Sequence, residues 1–550
     1  MKYDQIRMKT AAILMIAVFC VLAFAGCAKE NQSSGGSSSS SVEKWKEDVT
    51  VTWWLMGGTE EYAQTYWSEM KGLQRLQDNI GIHIDFKVAT SYDAYLPMMA
   101  ARNYPDVVTA SNLQFYPGRL DGMFNDGVSV DLTPYMDEYM PNFKQIIEDY
   151  PDLAKDIRLD SGEYTFVSTF YDIHNEADRV LASTAGLAIR QDWLDTVGRE
   201  IPTDMQEWYE VLSLFKSADP NGNGQQDEEP ICMASSCWKY FLTAYGIDDD
   251  PSVQFDQDDN PVVVYGYMTD AYKEFLAEMN RWYQEGLIYN MFEKTSLEAM
   301  SQQVNSNLAG AWKGNVAHFD ETDEDSMIRT LREKAPDAEF AACPWPETAD
   351  GYQWNFSEIT SFATETTVIT SAAVDHDVDE AAAYLLDYML SEEGSTLLTW
   401  GIEGESYEEV NGEKKLLDSM QETISFHGKN IQKINQYSDP ITIKLPNFGQ
   451  VSEFVLANQN QSYIDASTTW SKGDISYKMQ AACQLNVEQK LEADTIEDTM
   501  KNYITKMRQR FITGLEPLTN YDTYIEQVKL LGGDQYVEIW QRAYDGWRNR

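Results

Sequence analysis

The chain has 550 residues, 43% of them hydrophobic, which is enough for two or three domains with real cores. Its 89 Asp and Glu against 42 Lys and Arg leave a formal net charge of −47. That balance excludes nucleic acid, whose phosphates need a basic footprint, and it disfavours anionic lipid heads. It suits a highly soluble extracellular protein.

The N-terminus sets the compartment. Lys2, Arg7 and Lys9 precede an apolar run, Ala11 to Ala25, that is too short for a comfortable membrane span. The run ends Phe24-Ala25-Gly26-Cys27. Small residues before a cysteine resemble the bacterial lipobox, although Phe24 stands where Leu is usual. Residues 1–26 therefore read as a lipoprotein signal peptide and Cys27 as the lipidation site. A plain signal peptide with an incidental cysteine is the alternative. Asn31 to Ser41, NQSSGGSSSSS, cannot bury apolar surface and reads as a flexible tether, so 27–47 is lipid cysteine plus tether.

Asp48 to Met56, DVTVTWWLM, alternates and then turns continuously apolar, as a strand entering a core does. A helical stretch follows at about Glu60 to Gln77, then a second alternating strand, Gly81 to Val88. A helix around Tyr92 to Ala101 leads to a short buried strand, Tyr104 to Val108. This order predicts an α/β domain with a largely parallel sheet, whose ligands sit beyond the carboxyl ends of the strands. Trp54 and Asn112 lie at such ends.

Thr203 to Phe215 predicts a helix capped by Thr203, with Gln206 as its box partner and Trp208, Val211, Leu212, Leu214 and Phe215 on one face. Then comes DPNGNGQQDEEP, Asp219 to Pro230. Oxygen side chains at alternate loop positions, with glycine at the sixth, bring hard-cation ligands to one point. Asp219, Asn221, Asn223 and Asp227 fit those positions, and Gln225 offers its carbonyl. Pro230 stands where an EF-hand has its closing Glu, so Glu228 is the substitute. Oxygen donors alone, without His or Cys, point to Ca²⁺ in a structural role. An acidic turn is the plainer reading.

Cys232, Cys237, Cys343 and Cys483 show no metal or disulfide spacing; Cys232 and Cys237 either pair or are buried thiols. Helices are expected at Asp270 to Gln284 and Glu380 to Leu390, and two more at the C-terminus, separated by Gly532-Gly533.

The block Leu187 to Pro230 resembles a signature of large extracellular solute-binding lipoproteins of ABC importers, the family 1 oligosaccharide type. Tyr104-Pro105-Asp106-Val107-Val108, Asp131 to Tyr135, Gly401-Ile402-Glu403-Gly404 with Tyr407, and Phe511 to Asp545 are similar to further blocks of that family, so the resemblance spans nearly the whole mature chain. It implies a two-lobed α/β fold of the type II periplasmic-binding-protein kind, with extra C-terminal helices. The expected lobes are 48–165 with about 300–390, and 166–299 with about 391–550. It also implies a structural calcium loop at 219–230, held by Asp219, Asn221, Asn223, the Gln225 carbonyl, Asp227 and Glu228. The partners would be an oligosaccharide and a membrane permease, with the protein a lipid-anchored monomer at the extracellular face.

Sugars present C–H faces to aromatic rings and hydroxyl rims to polar groups. Trp54, Trp238, Trp312, Trp354 and Trp400 are the candidate platforms, Trp312 first, with Asn112, Asn315 and Glu405 as polar partners. Trp208, Trp282 and Trp540 read as core. The acidic surface favours an uncharged ligand. No GxSxG, HExxH or phosphate loop is present, so the chain reads as a binder and not an enzyme. A glycan-active enzyme, a glycan-binding adhesin and a binder of another solute are the competing classes.

Overall fold

The computed structural model describes residues 44–550, apart from 46–47, 57–65, 90–94, 112–115, 173, 235–236, 322–325, 357–364, 428, 441–444 and 481–482. The signal peptide, Cys27, the tether and Asn112 lie outside the described residues. Among the described residues, two four-stranded sheets carry the architecture. Their strands are β1 (Val49–Met56), β2 (Ile82–Ala89), β3 (Val107–Ser111), β4 (Ala185–Arg190), β5 (Glu229–Cys232), β6 (Ala309–Asn315), β7 (Phe340–Cys343) and β8 (Glu365–Ile369).

The first sheet has the order β8-β3-β1-β2. β1 runs parallel to β2, from Val49 opposite Ile82 to Met56 opposite Ala89, and parallel to β3; β8 closes the edge antiparallel. Val51, Trp53, Trp54 and Leu55 are all buried, as in a strand covered on both faces. The second sheet has the order β7-β4-β6-β5. β4 is antiparallel to both neighbours, and β5 is parallel to β6. The carboxyl ends of β5, β6 and β7 therefore point the same way. Each sheet with its helices makes one lobe of a two-lobed α/β fold.

Sheet membership divides the chain differently from the expected boundaries at about 300 and 390. β6 and β7 hydrogen-bond into the second sheet, and the chain returns to the first only with β8. Helix Glu392–Thr399 packs on helix Lys71–Ile80, and Asn447–Phe448 pairs with Thr169–Phe170, so this stretch stays beside the first sheet. From Gln461 the chain belongs to the second: Trp470 enters its core, and the 27-residue helix Val487–Thr513 packs on helix Asp270–Gln284. Sheet partners follow register and packing, which position along the chain does not reveal.

The chain thus passes between the lobes after Phe170, after Cys343 and after Asn458. These crossings are bonded to one another. Arg179 of the first donates to the carbonyls of Ser471 and Gly473 in the third. Asn355 of the second, fully buried, donates to the carbonyls of Trp470 (3.0 Å) and Lys472 (2.8 Å). Trp470 itself is seated on the second sheet. Gly186 lies opposite Gly314 in the β4–β6 register, and a Cβ on Gly186 would fall 2.3 Å from the Trp470 ring. The absent side chains leave the slot that the indole fills, and its N–H donates to the Leu187 carbonyl at 3.0 Å.

The helix expected at Thr203 to Phe215 spans Met205–Ser217 and is capped by Asp204, whose carboxylate accepts from Glu207 N at 2.8 Å. Glu207 reaches back to Thr203 N and Oγ1, both at 2.8 Å. Trp208, Val211, Leu212 and Phe215 are buried as expected, as is Trp282, whereas Leu214 and Trp540 are half-buried. Cys232, Cys237, Cys343 and Cys483 are free and buried. No helix among the described residues is long and apolar enough to cross a membrane.

Candidate functional site

The acidic loop leaves helix Met205–Ser217 through Asp219, which has φ +49°, and turns at Gly222 and Gly224, φ +68° and +77°. Glycine suits both turns because neither needs a Cβ and both need the left-handed region. The loop folds around its own oxygens. Asp219 accepts from Asn223 N (3.2 Å) and Gly224 N (2.9 Å), and Asn223 Oδ1 accepts from Gln225 N (2.7 Å). The amides of Asn221 and Asn223 donate to Asp227 Oδ1 at 3.3 and 2.9 Å. Glu228, the residue before β5, is 1% exposed, and neither of its carboxylate oxygens has a hydrogen-bond partner. Burial first, then the charges of Asp219 and Asp227, push its pKa up. An ionised carboxylate buried without a partner costs on the order of several kcal/mol, and a cation would remove that penalty. Among the described residues no three His, Cys, Asp or Glu side chains converge into a metal cluster. The donor set here is carboxylate plus amide, a chemistry that fits a hard cation.

β5 connects this loop to a cavity. Beyond the carboxyl ends of β5, β6 and β7 lies a space of about 250 Å³. Ala182 to Ala185 of the first crossing and Phe356 of the second form part of its wall. Tyr240 and Trp345 stack at 5.5 Å between ring centroids, 19° between planes, and both line it. Lys239, Asp248, Lys313 and Asn315 bring polar groups. The position agrees with the rule that ligands of α/β sheets bind outside the carboxyl ends of strands.

Strand alternation explains which β6 residues arrive there. Ala311 packs with Leu187 and Ile189 in one core, while Trp312 packs in another. Lys313 and Asn315 share the Ala311 face and reach the cavity. Trp312 faces away. It is wholly buried, edge-on to Phe340 at 4.6 Å, with its N–H directed to His318 Nδ1 at 3.3 Å. Burial, and then the Lys313 charge, pull the His318 pKa down to about 4, so the ring is neutral.

Of the predicted ligand residues, Asn315 lines this cavity. Trp354 stands beside it, half-buried, stacked on Tyr477 at 3.8 Å and parallel to Phe356. The other tryptophans are core. Trp54 packs on Tyr95, Trp238 on Phe292, and Trp400 on Phe454, each buried. Each ring gains more by closing a core than a solvent-facing strand end would give it. Glu405 is exposed and lies 3.8 Å from the Lys71 ammonium. Arg190 forks onto Asp192 and lies over Trp193, an arrangement that holds the start of the helix in place. Lys239, Tyr240, Asp248, Lys313, Trp345 and Phe356 escaped the sequence reading. Only Lys313 carried a signal, through its alternation with Asn315.

A second cavity, about 350 Å³, shares Asp248 with the first. Its wall joins Arg119, which follows β3 in the first lobe, to Lys478, Lys490 and Trp540 of the second. Arg119 donates to Gln484 Oε1 at 2.5 Å, bridging the lobes.

No protein-family model matches the chain. It is 23% identical over 559 aligned residues, 97% of each chain, to the fructooligosaccharide ABC transporter substrate-binding protein FusA of Streptococcus pneumoniae. It is 21% identical to the polygalacturonan/rhamnogalacturonan-binding protein YtcQ of Bacillus subtilis, covering 83% of this chain and 84% of that one. The structure of FusA with kestose superposes with a TM-score of 0.63 at 19% identity, over 91% of this chain and 99% of that one. A solute-binding protein for human milk oligosaccharides from Bifidobacterium longum infantis gives 0.67 at 18% identity, over 91% and 99%. FusA and the Bifidobacterium protein are binding proteins of ABC transporters, and YtcQ is a polysaccharide-binding protein. A FusA structure is of an EF-hand mutant.

Proposed function

We propose that this chain is the substrate-binding component of an ABC importer. It holds an oligosaccharide in the cavity beyond β5, β6 and β7 and closes on it for delivery to a permease. The observation that carries this reading is the cavity's make-up and place. Stacked aromatics and a few polar groups meet there, against two of the segments that join the lobes. Tyr240, Trp345 and Phe356 would take the sugar's C–H faces, and Lys239, Asn315 and Asp248 its hydroxyls. Ligand bound between elements that move together in one lobe and apart from the other shifts the open–closed equilibrium by its differential affinity.

Calcium would be held by Asp219, Asn221, Asn223, the Gln225 carbonyl, Asp227 and Glu228. It would fix the loop that starts β5, and through β5 the Lys239–Tyr240 wall. Lipidation at Cys27 would anchor a monomer to the extracellular face of the cell membrane. The lobes would comprise the β1–β3 and β8 region with 371–458, and the β4–β7 region with 461–550.

The test is a tryptophan-fluorescence titration of residues 41–550 in calcium against a panel of plant and microbial oligosaccharides, with the sugars recovered and sized afterwards. Saturable binding with intact sugar supports an importer's binding protein. Shortened products would replace it with a glycan-active enzyme. Silence across the panel would replace it with an adhesin or a receptor for another solute.

A further inference from the structure

We infer that the cargo is long enough to span both cavities, with part of the sugar chain seated in the second, between Arg119 and Trp540. The inference rests on the proposed binding function and adds a subsite and a length requirement to that same site.

The two cavities meet at Asp248, which is 6% exposed and lines both. Lys478 makes a second join. It lines the larger space, of about 350 Å³, while its Nζ donates to the Phe356 carbonyl at 2.8 Å. Phe356 belongs to the wall of the smaller space, of about 250 Å³. The proposed sugar cavity thus adjoins a larger one.

The wall of the larger cavity suits a hydroxylated chain. Gln480 Oε1 is buried there and has no hydrogen-bond partner in the protein. A buried acceptor without a donor is costly, and a sugar hydroxyl, which both donates and accepts, can supply one. Tyr536 and Trp540, one turn apart on helix Gly533–Arg548, line the same space and offer aromatic surface to a sugar's C–H face. The buried Trp540 N–H makes no hydrogen bond of ordinary geometry, although it acts on the Tyr536 hydroxyl one turn back.

The first lobe contributes Arg119. Its φ is +53°, a left-handed conformation that residues other than glycine seldom adopt, and it follows Gly118 at +76°. Such a conformation persists only where the surroundings impose it, and it gathers at ligand clamps. Arg119 Nη1 donates to Gln484 Oε1 at 2.5 Å, and a guanidinium carries further N–H groups for ligand oxygens. A sugar unit seated here touches Arg119 of one lobe and Gln480 and Trp540 of the other. It is held fully only with the lobes together, so filling this cavity favours the closed form.

The experiment is calorimetric titration of residues 41–550 at fixed calcium. The probes are fructose-, glucose- and xylose-based series, each from the monosaccharide to the pentasaccharide. The proteins are the wild type, Asn315→Ala in the first cavity and Gln480→Leu in the second. Within a series that binds, affinity should rise about tenfold or more at the length that first reaches the second cavity. A sugar of that length should be weakened about fivefold or more by either substitution, whereas a shorter homologue should respond to one of them alone. An affinity that is flat with length would overturn the inference. So would a Gln480→Leu protein that binds the long sugars as the wild type does, or two substitutions whose effects are both independent of length. The oligosaccharide reading would survive any of these results. No saccharide binding in any series would overturn the binding reading as well. If Gln480→Leu fails to fold by circular dichroism, Trp540→Phe carries the comparison, because it trims the same wall while keeping a ring in the core.

Discussion

The indole N–H of Trp547 donates to Asp156 Oδ1 at 2.9 Å, across 391 positions of sequence. Lys155 Nζ lies 4.0 Å over the same ring, and Arg550 Nε meets Asp160 Oδ1 at 2.6 Å. The last helix, Gly533–Arg548, is thereby clasped to helix Pro151–Asp156 of the first lobe.

This clasp should respond to pH. The second oxygen of Asp156 is buried without a partner. Burial lifts its pKa from 3.8 to about 7, against the opposing pull of Trp547, Arg550 and Lys155 and with the help of Asp152. Below pH 3.8 the group is protonated in both folded and unfolded chains and carries no penalty. Between 3.8 and 7 the folded chain binds a proton that the unfolded chain lacks, so its stabilising effect fades as pH rises. Above 7 the full penalty of a buried carboxylate remains. Asp156→Asn keeps an acceptor for Trp547. It should raise the thermal midpoint at pH 8, and the gain over wild type should vanish by pH 4. Scanning fluorimetry across that range checks it; an equal offset at every pH would show that Asp156 does not titrate this way.

Removing calcium should lower stability through the Glu228 loop. A ligand present at a hundredfold excess over its Kd stabilises by about 2.7 kcal/mol. A chelator should therefore drop the wild-type midpoint by a few degrees. Glu228→Gln removes the buried negative charge, so it should shrink the chelator effect by half or more while raising the metal-free midpoint. No chelator effect on the wild type would argue against a metal in this loop.

The two faces of β6 should separate stability from binding. Trp312→Ala empties a core position and should cost about 3–5 kcal/mol of folding stability. Asn315→Ala, two strand positions beyond Lys313 on the cavity face, should change stability by about 1 kcal/mol through its lost cap to Ala317 N. It should also weaken sugar binding severalfold. Denaturant melts beside titrations distinguish the two, and a Trp312→Ala protein that keeps its stability would refute the core assignment.

The α/β alternation, the helix at Asp270–Gln284 and the acidic loop were readable because each is written locally. The cap of helix Met205–Ser217 slipped by one residue for a local reason too: Thr203 with Gln206 and Asp204 with Glu207 both satisfy the capping-box spacing. The cavity was not readable. Its wall is drawn from Ala185, Tyr240, Asp248, Lys313, Trp345 and Phe356, which only tertiary packing brings together. The tryptophans misled because a ring at a strand end, such as Trp54, is equally suited to a core, and no local pattern says which neighbour will cover it. Lys313 and Asn315 were within reach, since AGAWKGN as a strand cannot aim Trp312 and Asn315 to the same side.

Asn355→Ala should leave the carbonyls of Trp470 and Lys472 without that donor and cost about 1–3 kcal/mol. Urea midpoints of wild type and variant give the value; no loss would mean that the crossings are not held together by this side chain.

The bonds from Arg179 and Asn355 have a mechanical consequence. Three separate connectors would let the lobes slide, twist and bend independently. Tied at Trp470 to Gly473, and seated on one sheet by the Gly186–Gly314 slot, they act as one pivot fixed to one leaf. The angle between the lobes then becomes the one coordinate that these tied connectors leave free, and whatever fills the cavity against them acts on that coordinate.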